Sequence, residues 1–408
     1  MTDTKRTLLA GLLIGLLTLF IPFYLNFIGV VPAQENLSPQ DASSVSDYDT
    51  TYSSKPAADT IVPPSLASAL KPLSSANAGL DFVVITEKYQ ALISTRGGGS
   101  IKSFKLLDSQ KDGYKYLGGY NDLGEYDSFS NVELVLPFVN SCSPCLSINN
   151  GPLVSDPFSV VSPSLFSGQT LNLYDSDSLV VVMDFVENSQ VIRKTTTFYA
   201  NSYIIDHHFL LESSPPSGTT VLWNDGIRAT EKNLAEELTY SEGYIAQLKD
   251  INRVSLSPSS ANDVEERKTF SGKTDWVAIR NKYFINSLIS EEAIGGELSA
   301  RSFELSQDTY IPAYSMGLAF NSSSINIKQF FGPLDVDIIS SSKTYLDRVM
   351  NFGWLPIQPF SRSVLWILKK LHLVGLNYGF ILILFAFLIR FITGPLTKKS
   401  YQSTQKMQ

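Results

Sequence analysis

Two long apolar stretches, one near each end, constrain the fold of this chain more than any other feature of its sequence. Residues 8–31 and residues 374–396 consist almost entirely of apolar side chains. At about 1.5 Å of helix per residue, each stretch can cross the ~30 Å hydrocarbon core of a bilayer. We therefore predict two transmembrane helices, with the residues between them folded on one side of the membrane.

Basic residues beside the two stretches indicate their orientation. Lys5 and Arg6 precede the first stretch, and three lysines follow the second within residues 398–408. Because the cytoplasmic flanks of membrane spans are rich in Lys and Arg, we predict that both ends are cytoplasmic and that the middle is not. A cleaved signal peptide is the alternative to an N-terminal anchor at residues 1–31, since residues 31–33 resemble a cleavage site.

Charge is distributed unevenly along the chain. Residues 1–31 and 356–408 together carry a net charge of +8, so the middle carries −15 within the total of −7. An acidic middle argues against nucleic-acid binding, which needs a basic face. Basic ends beside apolar stretches suit contact with the anionic headgroups of a lipid bilayer.

The middle of the chain divides into a linker and a β domain. Residues 32–79 are rich in Ser, Ala, Pro, Asp and Thr, which predicts a linker that cannot bury enough surface to fold. Residues 80–352 contain short runs rich in β-branched and aromatic residues between turn signals, the pattern of an antiparallel β-sandwich. The clearest strand candidates are 82–86, 132–138, 179–185, 192–199, 202–211, 219–223, 276–289, 313–320 and 325–331. In one of them, alternation places four side chains on one face: Ile192, Lys194, Thr196 and Phe198.

Three segments have helical patterns. Residues 230–241 and 342–351 predict short helices, and residues 353–373 predict a longer amphipathic one. Because Trp366 suits a membrane–water interface, we expect the longer helix to lie in the membrane surface with its cations near lipid headgroups. Packing against the β domain is the alternative. The apolar stripe of this helix comprises Phe360, Val364, Ile367, Leu368 and Leu371, and its off-stripe cations are Arg362, Lys369 and Lys370.

Arg390 is the most informative polar residue. It follows ten consecutive apolar residues and precedes Phe391 and Ile392 within the second apolar stretch. An arginine at the centre of a span costs about 2.5–3.5 kcal/mol on insertion scales, so such residues usually face a water-filled cavity or a helix bundle. The alternative is snorkelling, because the lysine-flanked end of the stretch is only ~9 Å away along a helix.

The cysteines and histidines offer little chemistry. Cys142 and Cys145 are the only cysteines, and they lie in a loop rich in Ser, Asn and Pro. A zinc site would need two further ligands, whereas the chain has only three histidines. We favour a small disulfide in an oxidising compartment, with two free thiols as the alternative. His207 and His208 are adjacent and would face opposite ways on a strand, so we interpret both as structural.

A glycine-rich segment at residues 96–99 (Arg-Gly-Gly-Gly) lacks the Gly-Lys-Ser/Thr ending of a phosphate loop. It therefore predicts a turn that joins two strands.

Several motifs near the C-terminus occur together in one known family. They are the Asn-Tyr-Gly-Phe sequence at 377–380, the arginine at the end of the span, the Gly-Pro-Leu-Thr-Lys sequence at 394–398 and a Met-bearing polar segment at 401–407. Residues 351–354 (Asn-Phe-Gly-Trp) match further upstream, with looser matches at 95–98, 276–279 and 283–284. In these features the chain resembles the YidC/Oxa/Alb family of membrane protein insertases, in its Gram-negative form.

The resemblance implies a fold and a function. The fold would be a mainly β periplasmic domain, an antiparallel β super-sandwich, joined to transmembrane α-helices. Residues 374–397 would be the first helix of a five-helix core, in which Arg390 lines a hydrophilic groove that binds substrate. The function would be to insert and fold nascent membrane proteins in the bacterial inner membrane, alone or with the Sec translocon. No cofactor, metal or enzymatic reaction is implied. Since only one core helix is present, we expect the chain to continue beyond Gln408.

Two other functions compete with insertion. One is a membrane-anchored binding module, in which the β domain holds a carbohydrate or protein partner without insertase activity. The other is a sugar-converting enzyme of the sandwich type. An enzyme would need a converging acid–base pair, and the sequence shows no nucleophile–base arrangement.

Overall fold

The computed structural model describes most of the chain from residue 79 onwards. The predicted N-terminal anchor at 1–31 lies outside the described residues, as does nearly all of the predicted linker at 32–79. The described residues are 79–107, 116–137, 142–149, 151, 154–187, 190–212, 218–248, 250–257, 260, 266–341, 346–350, 357–372 and 377–405.

Strands dominate the described residues up to residue 333, which confirms the prediction of a mainly β domain. The first ten strands are β1 Asp81–Ile85, β2 Tyr89–Ser94, β3 Ser100–Leu106, β4 Leu117–Tyr120, β5 Tyr126–Asn131, β6 Cys145–Ser147, β7 Ser159–Ser162, β8 Gln169–Asn172, β9 Ser178–Glu187 and β10 Gln190–Tyr199. The remaining ones are β11 Ile204–Leu211, β12 Thr219–Trp223, β13 Glu242–Gln247, β14 Asp250–Val254, β15 Glu266–Ser271, β16 Trp276–Arg280, β17 Phe284–Ile289, β18 Gly295–Ser306, β19 Thr309–Phe320 and β20 Ser324–Pro333.

The strands form three main sheets and one hairpin. The largest sheet has nine strands in the order β14-β13-β16-β17-β20-β11-β10-β9-β7. A five-stranded sheet has the order β15-β18-β19-β12-β6, a four-stranded sheet has the order β3-β2-β1-β8, and β4 pairs with β5. The expectation of a wholly antiparallel sandwich is wrong at one place, since β1 and β8 run parallel. The long connection between them, which contains β2 to β7, gives the chain room for that crossover.

The core lies where the three sheets meet. Phe331 of the nine-stranded sheet stacks on Phe104 of the four-stranded sheet, with ring centroids 4.5 Å apart. The same ring meets Trp223 of the five-stranded sheet edge-on at 5.1 Å. All three side chains are fully buried, so one aromatic cluster joins the sheets. Such pairs contribute about 0.5–1.5 kcal/mol each beyond the burial of their area.

Burial along β10 and β11 follows the predicted alternation. The four side chains assigned to one face of β10 are the buried ones, and β11 alternates in the same way. His207 accordingly points into the core while His208 is half-buried on the other face. Period-2 alternation of this kind is what a sheet with one covered face requires.

Residues 132–138 depart from the predicted strand. Within their described part the structure has only an isolated bridge between Glu133 and Lys105. The Glu133 carboxylate accepts hydrogen bonds from the backbone N–H groups of Phe104 (2.7 Å) and Val135 (3.0 Å). The Glu133 carboxylate therefore accepts a hydrogen bond that a backbone carbonyl would accept in a regular β-ladder. The sequence pattern does not reveal this contact.

The glycine-rich segment forms a short helical turn, Arg96–Gly99, between β2 and β3. The other helices follow the last strand, apart from one short helix between β12 and β13. They are α1 Leu234–Leu238, α2 Val336–Ser341, α3 Gln358–His372 and α4 Tyr378–Gln405, with a 3₁₀ turn at Leu346–Val349. The helix predicted at 230–241 is thus much shorter than expected. Among the described residues, none of the helices has the length together with the hydropathy that crossing a membrane requires.

Candidate functional site

The helix α3 is held beside the β domain by ion pairs. The Lys369 ammonium lies 2.6 Å from an Asp337 carboxylate oxygen and 3.5 Å from one of Asp335, and both acids belong to the segment around α2. Partial burial lowers the pKa of Lys369, but the hydrogen bond to Asp337 and the charges of both acids outweigh it, so the pKa is raised overall. The cation therefore stays charged and fixes α3 against α2.

A cleft of about 460 Å³ opens between α3, α2 and the 3₁₀ turn. At one side of it, Arg362 pairs with Asp347 across 3.9 Å. Both Arg362 and Lys369 were predicted to contact lipid headgroups, whereas the structure gives each an acidic partner in the segment that follows the last strand. The acids were missed by sequence analysis, although their spacing from α3 is only a few tens of residues.

The apolar surface of α3 is incompletely covered. Trp366 and Phe360 are each 62% exposed, and no residue of α3 is buried. The ring of His372 at the end of α3 stacks on Tyr378 at the start of α4, with centroids 4.0 Å apart. This contact joins the two helices across the short segment between them.

Arg390 lies on α4 with its side chain exposed. The preceding turns expose large apolar side chains, including Phe380, Leu382, Ile383 and Phe387. Within the part of the chain that the structure describes, no carboxylate forms an ion pair with Arg390. The arrangement is a single cation on an apolar helix, and its assignment to a groove remains a prediction.

The two cysteines are joined by a disulfide in the structure, and both are 1% exposed. They lie against the glycine-rich segment at 96–99, which joins β2 to β3 as predicted and whose three glycines all have positive φ angles near +70°. A β-carbon at Gly98 would stand 2.7 Å from the backbone oxygen of Val154, so no larger residue fits there without a shift.

A buried lysine ties this turn to the disulfide loop. The Lys194 ammonium donates hydrogen bonds to the backbone oxygens of Gly98 (3.1 Å), Gly99 (2.8 Å) and Pro144 (2.9 Å). Burial lowers the pKa of Lys194 to about 7. Because the ammonium is completely buried and donates to three backbone carbonyls, Lys194 has a structural role and is not accessible to a substrate.

A buried acid also escaped sequence analysis. The Glu237 carboxylate, on α1, accepts hydrogen bonds from the backbone N–H groups of Thr230 and Glu231, each at 2.9 Å. Burial raises the pKa of Glu237, although these hydrogen bonds work against the shift. The contacts fix the loop before α1.

Within the described residues, no three His, Cys, Asp or Glu side chains converge as a metal site would need.

Comparison with known proteins connects these features to one family. The family model for the YidC periplasmic domain matches residues 157–367, from just before β7 into α3, which is more than half of the chain. The chain belongs to the YidC family. The match confirms the family resemblance.

Relatives within the family are named membrane protein insertase YidC. The protein from Chlorobium phaeovibrioides is 31% identical over 242 residues, which cover 54% of this chain and 40% of that protein. The protein from Chloroherpeton thalassium is 28% identical over 337 residues, covering 79% of this chain and 54% of that protein. The chain thus spans about half the length, or less, of the curated relatives it matches.

Solved structures with some likeness to the β domain include sugar-converting enzymes. A galactose mutarotase related enzyme from Lactobacillus acidophilus aligns with a TM-score of 0.34 and 12% identity, covering 62% of this chain and 97% of that one. A putative aldose 1-epimerase from Escherichia coli aligns with a TM-score of 0.30 and 11% identity, over 63% and 99% of the two chains. Likeness at this level says nothing about the chemistry of this chain.

Proposed function

We propose that this chain serves in the insertion and folding of membrane proteins, as its named relatives do. Family membership carries the proposal. Residues 8–31 and 374–397 would then cross the bacterial inner membrane, with the N-terminus in the cytoplasm and the β domain in the periplasm. The apolar side chains exposed on α4 support this placement, because an exposed row of large apolar side chains is unfavourable in water.

Arg390 would act as the substrate-binding cation. Within a hydrocarbon core, an arginine is tolerated where water and polar groups reach it, so partner helices would enclose it in a hydrophilic groove. The guanidinium would attract the acidic, hydrated segment of a nascent membrane protein. The apolar segment of that substrate would then move into lipid, driven by the burial of its own surface. No nucleotide, metal or covalent step is needed for this process, and the Sec translocon would be an optional partner.

A charge reversal tests the role of Arg390. In cells depleted of their own insertase, we expect the full-length gene product carrying Arg390→Glu to fail to restore growth and insertion. Arg390→Lys should retain much of both, because the positive charge remains. Lys328→Glu is the control, since it makes the same charge change on the exposed face of β20 and should be tolerated.

A substrate with reversed charges distinguishes electrostatic attraction by Arg390 from snorkelling of its side chain. If Arg390 contacts acidic residues of the substrate, a substrate whose extracellular acids are replaced by lysines should be inserted better by Arg390→Glu than by the unmodified protein. Growth at the unmodified level with Arg390→Glu would refute the groove. It would favour the second candidate, a membrane-anchored binding module whose work is done by the β domain.

A further inference from the structure

A second cavity, of about 350 Å³, opens on the β domain between the β4–β5 hairpin, the loop before α1, the start of β17 and the end of β20. It shares no lining residue with the cleft beside α3. Its volume falls within the range of about 300–1,000 Å³ that is usual for ligand sites. The described lining is apolar and rich in tyrosine, and its two charged residues, Glu231 and Asp335, are both acids.

Glu231 retains a carboxylate oxygen that can accept a hydrogen bond from a ligand. Its Oε2 atom accepts a hydrogen bond from the Tyr283 hydroxyl at 2.8 Å and lies 3.5 Å from the Lys282 ammonium. Lys282 is held more closely by Glu236, at 2.8 Å. The Oε1 atom of Glu231 accepts no hydrogen bond from any residue that the structure describes, so a cationic donor entering the cavity can bind there.

The surroundings of the cavity remain acidic after their ion pairs are considered. Lys282 pairs with Glu231 and Glu236, and Lys369 pairs with two aspartates at the start of α2. Four carboxylates therefore share two ammonium groups, which leaves an excess of negative charge beside the cavity. Charge complementarity of this kind favours a cationic ligand and disfavours an anionic one.

The aromatic lining also suits a cation. The Lys282 ammonium lies 5.0 Å from the centroid of the Tyr283 ring, so this ring already contacts one cation. Tyr126 is half-buried, and its hydroxyl forms no hydrogen bond within the described part of the chain. Burial and the nearby charges of Glu231 and Glu237 raise the pKa of Tyr126, so its hydroxyl stays neutral and can accept a hydrogen bond from a cation.

The hairpin that supplies Tyr126 offers a surface for more than a single side chain. Leu123 in its turn is 78% exposed, and Phe129 on β5 is 86% exposed. Large apolar side chains that are exposed on one hairpin are typical of surfaces that contact another polypeptide. A chain that places a cationic side chain in the cavity can therefore contact the hairpin with the residues on either side of it.

We propose that this cavity binds an arginine side chain of an extended polypeptide segment. The guanidinium donates to Oε1 of Glu231 and contacts the ring of Tyr126, while its methylene stem packs on Val132 and Leu334. A guanidinium fits this lining better than an ammonium, because it is planar, weakly hydrated and able to stack on aromatic rings. The proposal concerns the β domain and does not depend on the role of Arg390.

Peptide binding to the full chain, purified in dodecyl maltoside, tests the proposal by isothermal titration calorimetry. The probe is the acetylated peptide amide Ser-Leu-Arg-Leu-Ser, and its matched partner has the neutral isostere citrulline in place of arginine. The arginine peptide should bind about tenfold more tightly, because only it can form the charge-assisted hydrogen bond. Equal affinities for the two peptides, or no heat of binding at millimolar concentrations, would overturn the proposal.

Two variants locate the binding. Glu231→Gln should weaken the arginine peptide about tenfold and remove its advantage over the citrulline peptide. The fold should be retained, because the backbone N–H of this residue still donates to Glu237 and Lys282 still pairs with Glu236. Glu291→Gln, at an exposed position between β17 and β18, is the matched control and should bind as the unmodified protein does. Equal affinities of the two variants would refute the assignment to this cavity.

A small guanidinium compound distinguishes a polypeptide ligand from a free one. N-acetylarginine methylamide lacks the flanking leucines, so it should bind about tenfold more weakly than the arginine peptide if the hairpin contributes. Equal affinity for both would indicate a site for free guanidinium compounds and would overturn the polypeptide assignment.

Discussion

Acidification should destabilise the β domain through His207, whose ring is kept neutral in the core. His207 is 2% exposed, with Nδ1 3.3 Å from the Thr196 hydroxyl and Nε2 3.0 Å from the Gln329 amide oxygen. The Gln329 amide nitrogen donates to Asn286, which directs its oxygen towards the histidine. Nε2 therefore carries the proton and Nδ1 accepts, an arrangement that a second proton would disrupt. Burial and the nearby charge of Lys194 lower the pKa of His207 to about 3.

The size of the effect follows from the difference between the folded and unfolded pKa values. An unfolded histidine has a pKa of about 6.5, so between that pH and about 3 the unfolded chain binds more protons than the folded one. Stability from this group is fully present above pH 6.5 and is lost as the pH falls. Between pH 7 and pH 5, His207 alone should reduce the free energy of unfolding by about 2 kcal/mol.

Urea unfolding at pH 7, 6 and 5 measures this loss, with the fluorescence of the buried Trp223 and Trp276 as the signal. His207→Gln removes the titrating ring, so its free energy of unfolding should fall about 2 kcal/mol less over this range, whatever its stability at pH 7. His208→Gln, at the neighbouring half-buried position, is the matched control. An acid slope in His207→Gln equal to that of the unmodified protein would refute the assignment of a neutral buried ring.

Two further predictions concern the turn beside the disulfide. Lys194→Met should lower the free energy of unfolding by about 3 kcal/mol, because three buried carbonyls lose their donor, while Lys328→Met on the exposed face of β20 should change it little in urea titrations. Gly98→Ala should cost about 3 kcal/mol through its positive φ and its collision with the oxygen of Val154. Gly168→Ala, also at positive φ but with open space around it, should cost only about 1 kcal/mol, and equal losses in thermal melts would contradict the steric argument.

Local alternation was sufficient to predict which side chains of β10 are buried, because a strand with one covered face repeats every two residues. The same rule placed Lys194 in the core without explaining how a charged residue could remain there. Its three acceptors come from segments about 50 and 95 residues away in sequence. Contacts of that range depend on the arrangement of whole sheets, so no local pattern reveals them.

The order and direction of the strands in the sheets also could not be predicted from the local sequence pattern. Antiparallel pairing is the usual result of short connections, and it holds for neighbours such as β16 and β17. β1 and β8 pair in parallel after a long connection. No local sequence pattern predicts the direction in which the chain returns to β1. Similarly, residues 132–138 were predicted to form a strand, whereas the Glu133 carboxylate accepts a hydrogen bond from the backbone N–H of Phe104 that a backbone carbonyl would accept in a regular ladder.

The two interpretations of α3 are compatible once its faces are compared. At about 100° per residue, the apolar stripe that begins at Phe360 points almost opposite to the face that carries Arg362 and Lys369. The ion pairs with Asp347 and Asp337 use only the second face. These ion pairs therefore leave the stripe available for other contacts: four of its residues are half-buried, whereas Phe360 at its start is 62% exposed. The ion pairs thus orient α3 relative to α2 and the 3₁₀ turn, and the stacking of His372 on Tyr378 connects α3 to the helix that bears Arg390.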